Sequence, residues 1–478
     1  MHIFYYAWSL LLGHKMSTRI ESDLLGEMNL PDDVWYGIQT KRALDNFSIT
    51  GIPIGHFPEL VDSLAMVKAS AAYANNKIGL LSDDKSQAII AACEDIRQGD
   101  YYHAFVVDSI QGGAGTSTNM NANEVIANIA LSKLGHNKGQ YSELHPNDDV
   151  NRCQSTNDVY PTAACLAIQL AGDGLITAIE SLKAGLDAKA ETFSDVIKMG
   201  RTQLQDAVPM SLGQEFSAFA VTLGEETSRL QEAGKLLCEI NLGGTAIGTG
   251  INSHKDYSAI AIEYLAKVSN KPVVQASNLV EATSDMGAFV YYSGILKRLA
   301  VKLSKISNDL RLLSSGPRTG FGEICLPAAQ PGSSIMPGKV NPVIPEAVNQ
   351  TAYQVIAGDL AVTLAAESGQ LQLNAMEPLI IYNILNAIKM LSSSCDMLNK
   401  RCIEGITANV SRCREHVHNS IGTVTALVPL IGYANASSVA KQALKENKTI
   451  SDIVLERKLM TKDQLLQALD PYSMLSMS

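Results

Sequence analysis

Apolar positions recur three and four apart over several long stretches of the chain. The pattern runs through Leu175, Ile179, Leu182 and Leu186, and again through Phe216, Leu223, Leu230 and Leu237, which are seven apart. It is clearest at Leu296, Leu299, Leu303, Ile306, Leu310 and Leu313, and it returns at Ile381, Ile384, Ile388 and Leu391. This spacing lays an apolar stripe along an α-helix, and several such helices predict a bundle packed at shallow crossing angles. Some of these segments are too apolar for one buried face, which predicts burial between chains as well as within one. Before residue 150 the pattern breaks into short helical segments and polar turns, and after Arg401 it shortens again. The expected organisation is an N-terminal domain over 16–149, a central helical bundle over 150–405 and a small C-terminal helical domain over 406–478.

A chain of 478 residues can bury a large core and normally divides into two or three domains. Its net charge of −10 argues against a nucleic-acid surface. The eight cysteines contain no CxxC pair, so neither a disulfide framework nor a zinc site is indicated, and a reducing, cytoplasmic compartment fits best. The apolar run within the first fifteen residues is about ten long, too short to span a bilayer. It also lacks the basic flank and cleavage site of a signal peptide. Residues 1–15 therefore read as an extension outside the fold, with Met16 opening the first domain.

The candidate chemistry lies in loops between the helical patterns. Residues 332–341, GSSIMPGKVN, place Ser333 beside Ser334 and follow them with Lys339 and Asn341. Glycine and proline at this density exclude a regular helix or strand. Residues 113–124, GAGTSTNMNANE, suggest a loop leading into a helix at about Asn121, with Thr116 contributing a hydroxyl near a helix end suited to carboxylates. QSTND, 154–158, offers Ser155, Thr156 and Asn157 ahead of a long helical run. MGRTQLQDAVP, 199–209, puts Thr202 and Gln203 before a helix expected from about Met210. GTAIGTGIN, 244–252, lacks the lysine of a phosphate-binding loop and reads as a tight turn between bundle helices. HPNDDVN, 145–151, reads as a polar connector. The set is all small polar groups plus one lysine, with no metal-ligand spacing and no nucleotide fingerprint. It could clasp a small molecule with two carboxylates.

Three blocks give these loops a family. QSTNDVYPT, GRTQLQDAVPMSLGQEF and GSSIMPGKVNP resemble the three active-site regions of the fumarase/aspartase superfamily, and the likeness runs from Arg19 to about Leu469. The resemblance implies an all-α, three-domain fold with a central bundle of long helices. It also implies a homotetramer in which each site draws the three blocks from different subunits. Ser333 would be the general base. Ser334, Thr116, Ser155 and Thr156 would bind the β-carboxylate, Lys339 and Asn341 the α-carboxylate. Asn157, with Thr202 and Gln203 close by, would face the amino group. The loop at His145–Asp149 would match a secondary anion site. The expected reaction is a carbon–nitrogen elimination releasing ammonia from L-aspartate to give fumarate. No redox cofactor is required, and activation by a divalent metal such as Mg²⁺ stays open.

Two other readings stay open at this stage: malate hydration on the same fold, and a non-catalytic helical assembly. Fumarases carry a histidine, paired with a carboxylate, at the position of Gln203; the matching carboxylate here would be Glu346. A glutamine amide donates no proton to a departing hydroxide at neutral pH, so the hydration apparatus looks incomplete. The stretches 342–350 and 367–378 also resemble the ammonia-lyase branch. Val428, where many relatives have asparagine, and Ala114, where fumarases often have serine, depart from the pattern. A non-catalytic relative should carry lesions in the polar set, and none falls at Ser333, Lys339, Asn341, Thr156 or Asn157.

Overall fold

A computed structural model describes residues 17–470, so the expected extension over 1–15 lies outside the described residues. The chain opens with a hairpin of β1 (Thr18–Asp23) and β2 (Gly26–Pro31), followed by α1 (Ile38–Asn46), α2 (Pro58–Lys77), α3 (Asp83–Arg97) and α4 (Thr116–Lys133). The long helix α5 (Thr156–Thr192) leads to a second hairpin, β3 (Ile197–Thr202) and β4 (Gln205–Ser211), and then α6 (Leu212–Leu236). The two-residue strands β5 (Glu239–Ile240) and β6 (Val274–Gln275) pair in parallel around α7 (Tyr257–Ser269). Next come α8 (Gly287–Leu313), β7 (Ile324–Cys325), α9 (Val343–Glu367) and α10 (Glu377–Arg401). A short β8 (Thr407–Ala408) pairs with β7, and α11 (Val410–Asn419), α12 (Tyr433–Glu446), α13 (Ile450–Glu456) and α14 (Lys462–Ala468) close the chain. Among the described residues the architecture is mainly helical, with four two-stranded sheets as local staples.

The heptad positions do what their spacing predicts. Every one of them is at most 5% exposed. Burying such a side chain contributes about 1.5–3 kcal/mol, so these stripes dominate the stability of the long helices. Part of α5 is apolar enough to cross a bilayer by length and hydropathy, yet 67% of that window is buried inside the protein. Helices α6, α8 and α9 leave Val221, Val301, Tyr353, Leu360 and Leu364 more than half exposed in the single chain.

Two compact units divide the chain. The first takes the chain up to Gly174, Leu230–Leu296 and Ala357–Lys389; the second takes Leu175–Arg229, Lys297–Ile356 and everything from Met390. In the first unit, α2 packs on α3 and α7, with Tyr73 stacked on Tyr264 at 4.2 Å. The buried Glu124 of α4 holds the start of α1 by accepting from the backbone N–H groups of Gly37, Gln39 and Thr40 at 2.8–3.1 Å. In the second unit the C-terminal helices share a small core of Leu427, Val439, Ala443, Ile450, Ile453, Val454 and Leu465. Capping boxes at Thr449/Asp452 and Thr461/Gln464 start its last two helices.

Candidate active site

In the first unit, α4 begins at Thr116 itself and not at Asn121. The preceding Gly113, Ala114 and Gly115 all have positive φ, at 93°, 52° and 86°. A side chain on Gly115 would meet the Tyr160 ring at 2.2 Å, so only glycine lets the loop close there. Thr116 is exposed at the first position of the helix, and its hydroxyl donates to the Gly113 carbonyl at 2.7 Å. That leaves the oxygen lone pairs and the positive end of α4 facing outward.

The start of α5 is fastened from two sides. Asp158, fully buried, accepts from Ser155 N–H at 2.9 Å through one oxygen and from Gly243 and Thr245 N–H at 2.9 and 3.0 Å through the other. The Asn157 amide donates to Ala246 O at 2.8 Å, and its backbone carbonyl accepts from Asn241 at 2.9 Å. The glycine-rich stretch 244–252 is thus a tight turn, as its composition predicts, but it is also the buttress of Ser155–Asp158. With one Nδ2 hydrogen on Ala246, Asn157 keeps its other N–H and Oδ1, an acceptor.

A buried lysine lies beneath this loop, and the sequence does not flag it. Lys68, in the middle of α2 and 0% exposed, donates to Asn151 Oδ1 at 2.8 Å and Gln154 Oε1 at 2.9 Å. Asn151 Oδ1 also accepts from Asn119 and Asn123 at 3.2 Å each, and Asn119 donates to Thr156 Oγ1 at 3.1 Å. Thr156 therefore receives a hydrogen bond from behind and keeps its own proton for a ligand. Burial pushes the Lys68 amine down to about 7, against the pull of Asp158. Burial likewise pushes Asp158 up to about 6, against its backbone N–H partners and Lys68.

In the second unit, Thr202 and Gln203 do not precede a helix. They sit at the tip of the β3–β4 hairpin, where Thr202 pairs with Gln205 and the turn residues Gln203 and Leu204 have φ of 54° and 62°. Positive φ at both positions is the two-residue hairpin turn whose twist matches its strands. Met210 belongs to β4 and the helix starts at Leu212. Glu346 lies in the first turn of α9.

The loop 332–341 is irregular, as its glycines and prolines require. Gly332 N–H donates to Lys339 O at 2.8 Å and Asn341 Nδ2 donates to Gly332 O at 2.7 Å, which closes the loop into a ring. Inside it, Ser333 Oγ accepts backbone N–H groups from Ile335 at 3.2 Å and Met336 at 3.1 Å. Ser334 and Lys339 are exposed on the same loop, and one N–H of the Asn341 amide remains beyond its ring-closing bond. The structure thus groups the predicted residues into three sets: Thr116 with Ser155–Asn157, the hairpin tip, and the serine loop. Among the described residues, no three His, Cys, Asp or Glu side chains are grouped to hold a metal ion.

Known proteins match the chain over almost its whole length. The family described as Lyase covers residues 26–357, and the fumarase C C-terminus covers 424–476. Aspartate ammonia-lyase of Pseudomonas aeruginosa is 60% identical over 96% of this chain and 97% of that protein. The aspartate ammonia-lyase of Helicobacter pylori is 53% identical over 96% and 98%. A Brucella melitensis crystal structure described as fumarate lyase:delta crystallin bound to cobalt superposes with a TM-score of 0.93 at 57% identity, covering 96% of this chain and 99% of that one. A class II fumarase from Schistosoma mansoni superposes at 0.91 with 34% identity over the same shares. On this likeness, extending through all the predicted site blocks, the chain belongs to the lyase family of the fumarase/aspartase superfamily, beside its carbon–nitrogen lyases.

Proposed function

We propose that the chain is an aspartate ammonia-lyase, eliminating ammonia reversibly from L-aspartate to give fumarate. The observation that carries the reading is the 60% identity to an aspartate ammonia-lyase over 96% of the chain. The reacting site is composite, drawing the Thr116/Ser155–Asn157 set, the hairpin tip and the serine loop from three subunits of a homotetramer. The half-exposed apolar side chains on the long helices support such an assembly.

Ser333 removes the proton from the carbon beside the β-carboxylate. A free hydroxyl is a poor base, so its anion needs fixed donors. The Ile335 and Met336 N–H groups on Oγ supply two of them, and Lys339 adds a nearby positive charge. Charge then develops on the β-carboxylate as an enolate-like aci-carboxylate. Ser334, Thr116, Ser155 and Thr156 hydroxyls meet it, assisted by the positive ends of α4 and α5. Lys339 and Asn341 hold the α-carboxylate. Asn157 Oδ1 accepts from the substrate ammonium, alongside Thr202 and Gln203. Collapse of the intermediate expels neutral ammonia with no further proton, so the Gln203 amide suffices where a departing hydroxide would need an acid.

No cofactor enters this scheme, and a cytoplasmic setting suits the eight free cysteines. Purified protein supplied with L-aspartate should raise the ultraviolet absorbance of fumarate, and chelator should leave the chemical step intact. Loss of the reaction on exhaustive chelation would require a bound metal that the scheme lacks.

A further inference from the structure

One buried carboxylate outside the site described above grips the base of hairpin β3–β4. Glu323, 0% exposed, precedes Ser333 by ten residues. Its Oε1 accepts from Arg201 Nη2 at 2.8 Å and lies 2.8 Å from His416 Nδ1, while its Oε2 pairs with Lys198 Nζ at 3.1 Å. Lys198, itself 2% exposed, is held a second time by Glu215 at 2.6 Å. The Glu323 backbone is fixed as well: its N–H donates to Leu313 O at 2.9 Å, and its carbonyl accepts Asn409 N–H at 2.9 Å. Burial alone would raise this carboxyl, but Arg201, Lys198 and His416 together hold it below the usual carboxylate range.

The hairpin shows why this clip matters. Arg201 meets Glu323, lies over the Phe321 ring at 4.2 Å, donates to the Met199 carbonyl at 3.4 Å and sits 3.3 Å from His416 Nδ1. Every residue from Thr202 to Asp206 is exposed. On the returning strand, the next grip is Ser420, whose hydroxyl donates to Asp206 at 2.7 Å. The aim of Thr202 and Gln203 is therefore set by the last gripped residue before them. That residue is Arg201, and its one carboxylate partner among the described residues is Glu323.

We propose that Glu323 is a positioning residue: through Arg201 it aims the Thr202–Gln203 tip at the substrate amino group. This rests on the amino-facing reading of Thr202 and Gln203. Glu323 touches no substrate. Without its charge, the buried Lys198 and part-buried Arg201 keep only Glu215 as a counter-charge, and the one Nη2–Oε1 bond that directs the guanidinium loses its charge assistance.

The test is steady-state kinetics of the full-length enzyme in both directions, comparing Glu323→Gln with Thr202→Ala. A displaced tip should raise the KM for L-aspartate, and for ammonium in the reverse reaction, by roughly 5- to 50-fold. Inhibition by succinate, a dicarboxylate without an amino group, should stay within about twofold of the parent, because its contacts lie elsewhere. A role confined to stability would shift the melting temperature and lower the active fraction, leaving the KM values and their ratio to the succinate constant unmoved. If Thr202→Ala shows the amino-selective signature and Glu323→Gln does not, the positioning role is overturned. If Thr202→Ala also lacks it, the amino-facing reading fails and takes Glu323 with it. Should Glu323→Gln fail to fold, Arg201→Lys keeps the charge but loses the planar guanidinium that lies over Phe321 and donates to Glu323. It should show the same signature in weaker form, and parent-like constants there overturn the proposal.

Discussion

Replacing Lys68 by methionine tests whether the first unit's polar network serves the site. Methionine keeps the length and apolar stem of lysine but removes the amine. Two hydrogen bonds disappear, to Asn151 Oδ1 and Gln154 Oε1. Asn151 keeps its bonds from Asn119 and Asn123, so only Gln154 Oε1 is stranded. One unpaired buried acceptor costs about 1–3 kcal/mol, offset in part because no amine is desolvated. The effect on catalysis should be larger than the effect on folding. Gln154 precedes Ser155, so one proposed donor to the β-carboxylate loses its support, and Asn151, which connects through Asn119 to Thr156, loses its lysine. Misplacing one such donor typically costs about 10²–10³ in turnover, and partial misplacement here should cost roughly 10- to 100-fold in kcat.

The pH dependence supplies a second check on the same variant. The amine sits at about 7 in the fold, below its ordinary 10.5. Between those values the unfolded chain binds the extra proton, so this group's stabilising contribution is present above the ordinary value and is lost as pH falls through the folded one. Relative to the parent, Lys68→Met should thus be more costly at pH 10 than at pH 6. Urea unfolding at both pH values measures this, and steady-state fumarate formation measures kcat. A kcat within twofold of the parent would refute the link to the site. A pH-independent stability difference would refute the depressed amine.

Three further outcomes follow from other parts of the molecule. Ser333→Ala should lower kcat by about 10²–10⁴ with a modest change in KM, as measured on L-aspartate; near-normal turnover would remove Ser333 from the base role. Glu377, at the start of α10 and 1% exposed, is raised well above the ordinary carboxyl range by burial, so its stabilising contribution is present below about pH 4.5 and is lost as pH rises. Glu377→Gln should therefore be more stable than the parent at pH 8 and nearly matched at pH 4.5, and equal differences at both would contradict it. Finally, inactive Ser333→Ala and Thr156→Ala subunits refolded together should recover partial activity if sites are shared, whereas hybrids as dead as their parents would confine each site to one chain.

The long helices were legible because their signal is repeated and local. Leu296 to Leu313 span five turns of α8 on one stripe, and burial of that stripe outweighs weak propensities. The serine loop was equally legible, since Gly332, Pro337 and Gly338 leave it no regular alternative. The β3–β4 hairpin was not, because its turn is Gln203–Leu204, with none of the Asn or Gly that usually marks positive φ at both positions. The register that holds it comes from strand pairing and from Arg201 meeting Glu323, 122 residues further along. Lys68 was hidden for a related reason. In the apolar run AMVKASAAY it looks like a side chain reaching to water, and only partners 83 and 86 residues away make it a buried donor. Residues 244–252 announced a turn, but not that Asp158 and Asn157 would hang on it.

The central claim is that this site eliminates ammonia from an amino dicarboxylate and does not add water. It is tested most directly by following fumarate absorbance with purified protein, first on L-aspartate and then on L-malate at equal concentration. The account predicts rapid fumarate formation from L-aspartate, and a malate rate lower by roughly 10³ or more, as expected when the acid for the leaving group is missing. Malate turnover equal to or above that on aspartate would contradict it.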